Sequence, residues 1–220
     1  DLNRLAIETA TRACSVALEC DGRRIERRGH GARMHAEVLL PWIEAMLAEA
    51  GIGFSALDAI VVDRGPGGFT SLRLGLGVAQ GIAIAHDLPC HPVSSLQALA
   101  EVARPDNYRG RMLAALDARM SEVYAGWFDL VPGYPPQLFG RECLLGPAEL
   151  IAPDLAPFVA AGNALPAYVG KFPATLMTGC STTIEDAWPD AAALLRLADA
   201  VSSIDGGTVE PVYLRDKVTH

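Results

Sequence analysis

The chain has 220 residues, half of them hydrophobic and a fifth charged, with a net charge of −8. That length suffices for one large domain or two smaller ones, and the balance excludes wholesale disorder. The most apolar run, Leu72 to Ala85, is broken by Arg73 and Gln80 and falls short of the ~18 apolar residues of a membrane span, so no membrane is expected as a partner. Of the 18 basic residues only Lys171 and Lys217 are lysines. With so acidic a balance, a role on a phosphate backbone would need a partner to supply concentrated positive charge. The five cysteines (Cys14, Cys20, Cys90, Cys143 and Cys180) are odd in number and form no C-x-x-C pair. This argues against a disulfide framework or a zinc site and predicts a reducing, cytoplasmic setting. Asp1 to Thr9 has no apolar core of a signal peptide.

Leu5 to Glu8 reads as a short apolar strand. Val16, Leu18 and Cys20 alternate with Ala17 and Glu19 as a half-buried strand, Asp21-Gly22 is a turn, and Arg23 to Arg28 returns as a polar edge strand. Leu39, Ile43, Met46, Leu47 and Ala50 form one helical stripe stopped by Gly51, with Pro41 tolerable only near the first turn. Ala59 to Val62 is a central strand running into the tight loop Arg64 to Thr70, and a second helix spans about Ser71 to Ala85. Pro89 to Val93 is another strand, and Ser94 caps a helix through Val102, with Gln97 completing a capping box.

The second half repeats the opening. Arg111 to Leu116 ends at Asp117, and Glu122 to Phe128 ends at Asp129, as Leu5 to Glu8 is followed by Cys14 to Asp21. The pattern suggests an internal duplication. The polar stretch Arg104 to Gly110 marks a boundary, giving lobes of residues 1–103 and 104–220, with the final segment free to pack back on the first. Pro132 to Pro136 is a loop. Beyond it a helix near Pro147 to Ala152, a strand near Phe158 to Ala161 and a helix from Asp190 to Val201 are expected. Together these predict an α/β fold with a mixed sheet in each half.

Gly65, Pro66, Gly67, Gly68, Phe69 and Thr70 follow a strand and open a helix. Such a loop can cradle a phosphate on backbone N–H groups, or serve only as a turn where the backbone must approach closely. It is not a Walker A motif, since no Lys-Ser/Thr pair follows. In the helix beyond, Gly77, Gly81 and Ala85 share one face. Each interior glycine costs ~1 kcal/mol relative to alanine, and close approach of another backbone would offset it, from the chain's own sheet or from another subunit. His30, His35, His86, His91 and His220 offer no metal-binding spacing, and His35 reads as a polar cap or surface residue. There is no G-x-S-x-G elbow. Glu8 and Asp117, at strand ends, are where carboxylates can meet Mg²⁺ or nucleotide phosphates. They leave open an independent nucleotide-dependent phosphotransferase.

Several segments together resemble one family. They are Leu5-Ala6-Ile7-Glu8-Thr9 with Cys14 to Leu18, His35 to Pro41, Arg64-Gly65-Pro66-Gly67-Gly68-Phe69-Thr70-Ser71-Leu72-Arg73-Leu74-Gly75, Val93 to Leu96, Ala115 to Tyr124, and Pro211 to Arg215. These are similar to the bacterial TsaB (YeaZ) proteins across nearly the whole chain. The resemblance implies an actin/Hsp70-like (ASKHA, RNase H-like) fold of two related lobes. It implies a non-catalytic subunit, inactive alone, in the making of N6-threonylcarbamoyladenosine beside the tRNA anticodon. The expected partners are a metal-containing TsaD-like paralogue that transfers the group and a TsaE-like ATPase. ATP and metal would then sit in the partners, with no cofactor in this chain and tRNA met only through the complex. Pairing, and self-association as a homodimer, would use first-lobe helices, and the interface set read here is Leu39, Ile43, Met46, Gly77, Gly81 and Ala85. Where the paralogue carries H-L-E-G-H, this chain has Ser95-Leu96-Gln97-Ala98-Leu99, so Ser95 and Leu99 replace both metal ligands and a metallopeptidase reading loses its site. The family's loop reads G-P-G-S-F-T-G-L-R; here Gly68 replaces its Ser and Ser71 its second Gly, and Glu8 replaces the usual Asp.

Overall fold

A computed structural model describes residues 2–31 and 34–214; of the motif residues above, Arg215 lies outside that range, as do Lys217 and His220. Strands β1 (Arg4–Glu8), β2 (Ala13–Cys20) and β3 (Arg23–His30) form an antiparallel meander. The β2–β3 turn places Asp21 and Gly22 at φ +50° and +70°, a left-handed pair suited to that dipeptide. Helix α1 (Met34–Ala50) leads to β4 (Ala59–Asp63), which runs parallel to β1 with Ile7 opposite Val62. Helix α2 (Phe69–His86), strand β5 (Pro89–Val93) and helix α3 (Ser95–Ala103) follow. Ser94 Oγ caps α3 by accepting the N–H groups of Leu96 and Gln97 at 3.2 and 3.3 Å.

Helix α1 starts five residues before the Leu39 expected from its stripe, so Pro41 lies well inside it. Its missing amide would have bonded the carbonyl of Glu37, and both residues are exposed, where water can take that carbonyl. Every residue of β4 is buried, as its unbroken apolar run requires, whereas β3 is the solvated edge.

The second sheet is built from β6 (Gly110–Arg119), β7 (Glu122–Leu130), β8 (Gln137–Leu145) and β9 (Phe158–Ala161), followed by α4 (Ala164–Ala167), α5 (Ala174–Gly179) and β10 (Cys180–Ile184). The chain then returns through α6 (Ala191–Leu197) to β11 (Ile204–Asp205), which pairs with β5. The sheets are ordered β11-β5-β4-β1-β2-β3 and β10-β9-β6-β7-β8. Without β11 the two orders are the same: an antiparallel meander, then a parallel strand beside its first member and another parallel strand beyond. The repeat sensed at Glu8 and Asp117 thus extends to five strands.

Contacts divide the chain into a first unit of Asp1–Ala98 with Pro189–Val212 and a second whose body is Leu99–Trp188. The division falls inside α3 rather than at residue 103, because the start of α3 is tied to the glycine loop. In the first unit Leu5, Ile7, Val16, Leu18, Ile60 and Val62 face α1 and α2. The alternate positions Ala6, Ala17 and Val61 face the alanine-rich α6, whose first amide, of Ala191, donates to Ser15 Oγ at 2.8 Å. The second core gathers Leu113, Val123, Phe158, Leu165 and Leu176, with Trp127 edge-on to Phe158 at 4.8 Å.

Candidate functional site

The loop leaving β4 is pinned on every side by backbone hydrogen bonds. Arg64 N–H donates to Val93 O (2.8 Å), Ser95 N–H to Gly65 O (3.1 Å), Val212 N–H to Arg64 O (2.8 Å), and Gly68 N–H to Ala10 O (2.7 Å). Gly65 sits at φ +90°, and a Cβ there would lie 2.8 Å from Leu72 Cδ2. A Cβ on Gly67 would strike the Ala10 carbonyl oxygen and lie 2.7 Å from Ala10 Cβ. The β1–β2 turn therefore explains Gly67, which lets Ala10 close onto the loop, while Gly65 answers to its positive φ and to Leu72. The Gly68 amide, one of the N–H groups a phosphate would need, is already bonded there. Phe69 is exposed at the start of α2 with the Arg73 guanidinium 3.8 Å above its ring, and Thr70 is exposed beside it.

The departures at Gly68 and Ser71 are one exchange. A Cβ on Gly68 would lie 2.9 Å from Ser71 Oγ, which donates to Gly68 O at 3.2 Å. Gly68→Ser alone is expected to cost about 1 kcal/mol, and Gly68→Ser with Ser71→Gly to restore stability to within about 0.5 kcal/mol, read by denaturant unfolding.

Beneath the loop lies a buried acidic pair that the sequence reading half missed. Glu8 ends β1 and Asp63 ends β4; both are fully buried on the α6 face of the sheet. Glu8 Oε1 accepts the Ala10 N–H at 2.9 Å and Asp63 Oδ1 the Thr9 N–H at 3.3 Å. Glu8 Oε2, Asp63 Oδ2 and the fully buried Ser95 Oγ have no hydrogen-bond partner. Burial, then the neighbouring Asp63 charge, holds the Glu8 carboxyl well above its ordinary range, and burial pushes Asp63 up to about 7. Cys14 is raised to about 12, first by burial and then by these two charges, so its thiol is not a nucleophile. The signal for Asp63 was present: a carboxylate ending an all-apolar strand, as Glu8 does.

In the second unit Asp117 stands near the end of β6, where Glu8 stands on β1. Its Oδ1 accepts the Tyr168 hydroxyl at 2.7 Å and the Arg119 N–H at 2.8 Å, and its own N–H donates to Asn163 Oδ1 at 2.9 Å. Burial and the bond to Asp117 raise Tyr168 to about 12. His35 is not a surface cap: it is buried, with Nε2 3.1 Å from Ala13 O. Ser95 and Leu99, at the two positions compared with metal ligands, are fully buried. Among the described residues no group of three or more His, Cys, Asp or Glu is placed to hold a metal, and no helix is long and apolar enough to cross a membrane.

The helix residues separate into two sets. Leu39, Ile43 and Met46 are at most 1% exposed and belong to the first core; this corrects their assignment to an interface, since the helical stripe that marked them is the one α1 buries against β2. Gly77, Gly81 and Ala85 are exposed along α2, and nothing lies within 4 Å of a Cβ built at Gly77 or Gly81. Ile84 and Phe69 are exposed on the same helix, at 68% and 59%. The chain's own sheet is therefore not what approaches those glycines. Gly75 differs: a Cβ there would strike Thr9.

Two units with the same five-strand order in mixed sheets make this a duplicated α/β protein of the RNase H-like, actin/Hsp70-like class. The family model described as "TsaD: tRNA N6-adenosine threonylcarbamoyltransferase" matches residues 30–172. A tRNA threonylcarbamoyladenosine biosynthesis protein TsaB from Haemophilus influenzae is 35% identical over all of this chain and 96% of its own. Its Escherichia coli namesake is 44% identical over 54% of this chain and 52% of its own. The structure of YeaZ from Pseudomonas aeruginosa superposes with a TM-score of 0.88 at 38% identity, covering 97% of this chain and 100% of that one. The chain belongs to the TsaB (YeaZ) family.

Proposed function

We propose that this chain is a non-catalytic subunit in the formation of N6-threonylcarbamoyladenosine on tRNA, and that it pairs with a TsaD-like catalytic subunit through the outward face of α2. The observation that carries this reading is the open stripe of Gly77, Gly81 and Ala85: helix-interior glycines without a packing partner of their own. A partner helix laid on that stripe could approach to backbone distance. A second copy of the chain could use the same face, giving a homodimer in isolation. In this reading a TsaE-like ATPase and the TsaD-like subunit hold the ATP and metal, tRNA is met through the assembly, and the setting is the cytoplasm. The net charge of −8 agrees with tRNA binding resting on the partners.

The independent phosphotransferase is supported less well. In the first unit the Gly68 amide is already bonded to Ala10, and Glu8 is fully buried beneath the loop. Reconstitution tests the choice: tRNA, threonine, bicarbonate, ATP and the other pathway proteins, with and without this chain, with modified adenosine quantified. Product that needs this chain, with no turnover by the chain alone, supports the subunit reading. Product formed equally well without it, or nucleotide hydrolysis by the isolated chain, overturns it.

Gly81→Leu separates docking from folding. Space is open at that position, and leucine favours a helix over glycine by roughly 0.5–1 kcal/mol, so the isolated chain is expected to be slightly more stable. Pairing with the TsaD-like subunit is expected to weaken at least ~10-fold, because the side chain holds the helices apart. Unfolding curves and titration calorimetry read the two effects.

A further inference from the structure

The Glu8–Asp63 pair is not used in the reading above, and it does not depend on that reading. Two carboxyl groups are placed side by side on neighbouring parallel strands, fully buried, and no ion pair reaches either one among the described residues. Each spends one oxygen on the β1–β2 turn: Glu8 Oε1 on the Ala10 N–H and Asp63 Oδ1 on the Thr9 N–H. Each has its other oxygen left over. The same turn then passes the connection on, since Ala10 O accepts the Gly68 N–H, and Gly68 O accepts the Leu72 N–H inside α2. A single line of hydrogen bonds runs from the acids to the start of α2.

We propose that Glu8 and Asp63 share one proton, and that this shared proton is a pH-sensitive latch holding the β1–β2 turn closed on the glycine loop and the first turn of α2. One O–H···O⁻ bond between Oε2 and Oδ2 gives both orphaned oxygens a partner and leaves a single negative charge in place of two. Burial outweighs the groups that favour ionisation, which are the Ala10 N–H toward Glu8 and the Thr9 N–H and Ser95 hydroxyl toward Asp63. Cys14 on β2 is neutral, and the Asp190 carboxylate ahead of α6 adds negative charge toward Glu8. Arg28 of β3 reaches Asp190 at 3.5 Å and Glu26 at 2.9 Å rather than either acid.

The sign follows from linkage. Unfolded Asp and Glu side chains lose their protons near pH 4, while burial raises Asp63 to about 7, and Glu8, raised by burial and then by the Asp63 charge, keeps the shared proton beyond that point. Across that window the folded chain binds at least one more proton than the unfolded chain. Stability therefore falls as pH rises, and the unfolding constant grows at least about tenfold per pH unit. Losing the proton sets two charges against each other under the turn, which releases Thr9 and Ala10.

The test is denaturant unfolding of the full chain between pH 5 and 8, with Glu8→Gln and Asp63→Asn, together with the amide protection factor of Gly68. The wild-type chain is expected to lose stability with the stated slope, and Gly68 to lose protection ahead of the amides of β9. Either neutral variant is expected to flatten the slope and exceed the wild type at pH 8. A wild-type profile flat over this window, or the same slope in a folded variant, overturns the proposal. If both variants fail to fold, the infrared spectrum of the wild type decides: a protonated carboxylic acid that persists at pH 7 and is lost at higher pH sustains the latch, and ionised carboxylates throughout overturn it. A chelator arm covers the other chemistry. If EDTA lowers wild-type stability at pH 8 and Mg²⁺ restores it, the pair holds a cation, and the shared proton is wrong.

Discussion

Gly67→Ala is expected to destabilise the first unit by about 3 kcal/mol, a large share of the ~5–15 kcal/mol that holds a typical domain together. The added methyl group would meet the Ala10 carbonyl oxygen and lie 2.7 Å from Ala10 Cβ. Both belong to a short turn that cannot retreat freely, since Ala10 N–H is held by Glu8 and its carbonyl by Gly68. Relief requires lengthening the 2.7 Å Gly68–Ala10 bond or pulling the turn off the acid pair. Urea unfolding followed by the fluorescence of Trp42, packed against the first core, measures the loss. Gly77→Ala is the control, because nothing stands within 4 Å of its Cβ. It should stabilise by roughly 0.5–1 kcal/mol, as alanine does in place of an exposed helix-interior glycine. Equal effects at the two positions would show that the close approach of Ala10 does not constrain the loop.

Gly162→Ala is expected to be at least as damaging in the second unit, by about 3–4 kcal/mol. Gly162 follows β9 at φ +115°, a conformation that side chains rarely adopt. Its Cβ would strike the carbonyl oxygen of Ala115, in the middle of β6, and lie 2.8 Å from Leu99 Cδ2. Strain and collision act at one residue, and the oxygen it meets belongs to a strand paired on both sides. Trp127, which packs on Phe158 of β9, reports the change in its own unit. An unchanged midpoint for Trp127 unfolding would contradict this account of the β6–β9 junction.

Much of this architecture was legible because burial writes a period into the sequence. Ala59 to Val62 does not alternate because β4 is covered on both faces; β2, expected to be half-buried from the alternation of Val16, Leu18 and Cys20, is also covered on both, with small Ala17 under α6 and only Glu19 partly exposed. The second sheet was harder to read. β8 is largely exposed over Gln137–Arg141 and contains Gly140 at φ +81°, so it carries neither alternation nor an apolar run. β10 reads Cys-Ser-Thr-Thr-Ile and is an edge strand with an exposed centre. The acid pair was half legible. Glu8 was read from its strand end, but its relation to Asp63, 55 residues away, exists only once β1 and β4 lie parallel. The stripe on α1 was read correctly as a stripe and wrongly as a surface: Leu39, Ile43 and Met46 obey the same period whether they meet their own sheet or a partner. The α2 glycines lack that ambiguity, since a small residue paid for in helix propensity calls for an explanation on whichever side it faces.

The first unit is split in the chain: Asp1–Ala98 needs Pro189–Val212 to cover Ala6, Ala17 and Val61 with α6 and to fasten the glycine loop at Val212. On the ribosome the order of completion is therefore inverted. All the strands of the later sheet have been synthesised before α6 is made, while the earlier sheet waits with one face bare and Ser15 without the amide of Ala191. At roughly 5–20 residues per second, that wait lasts several seconds. Over this interval the half-covered sheet is the stretch a nascent-chain chaperone would meet.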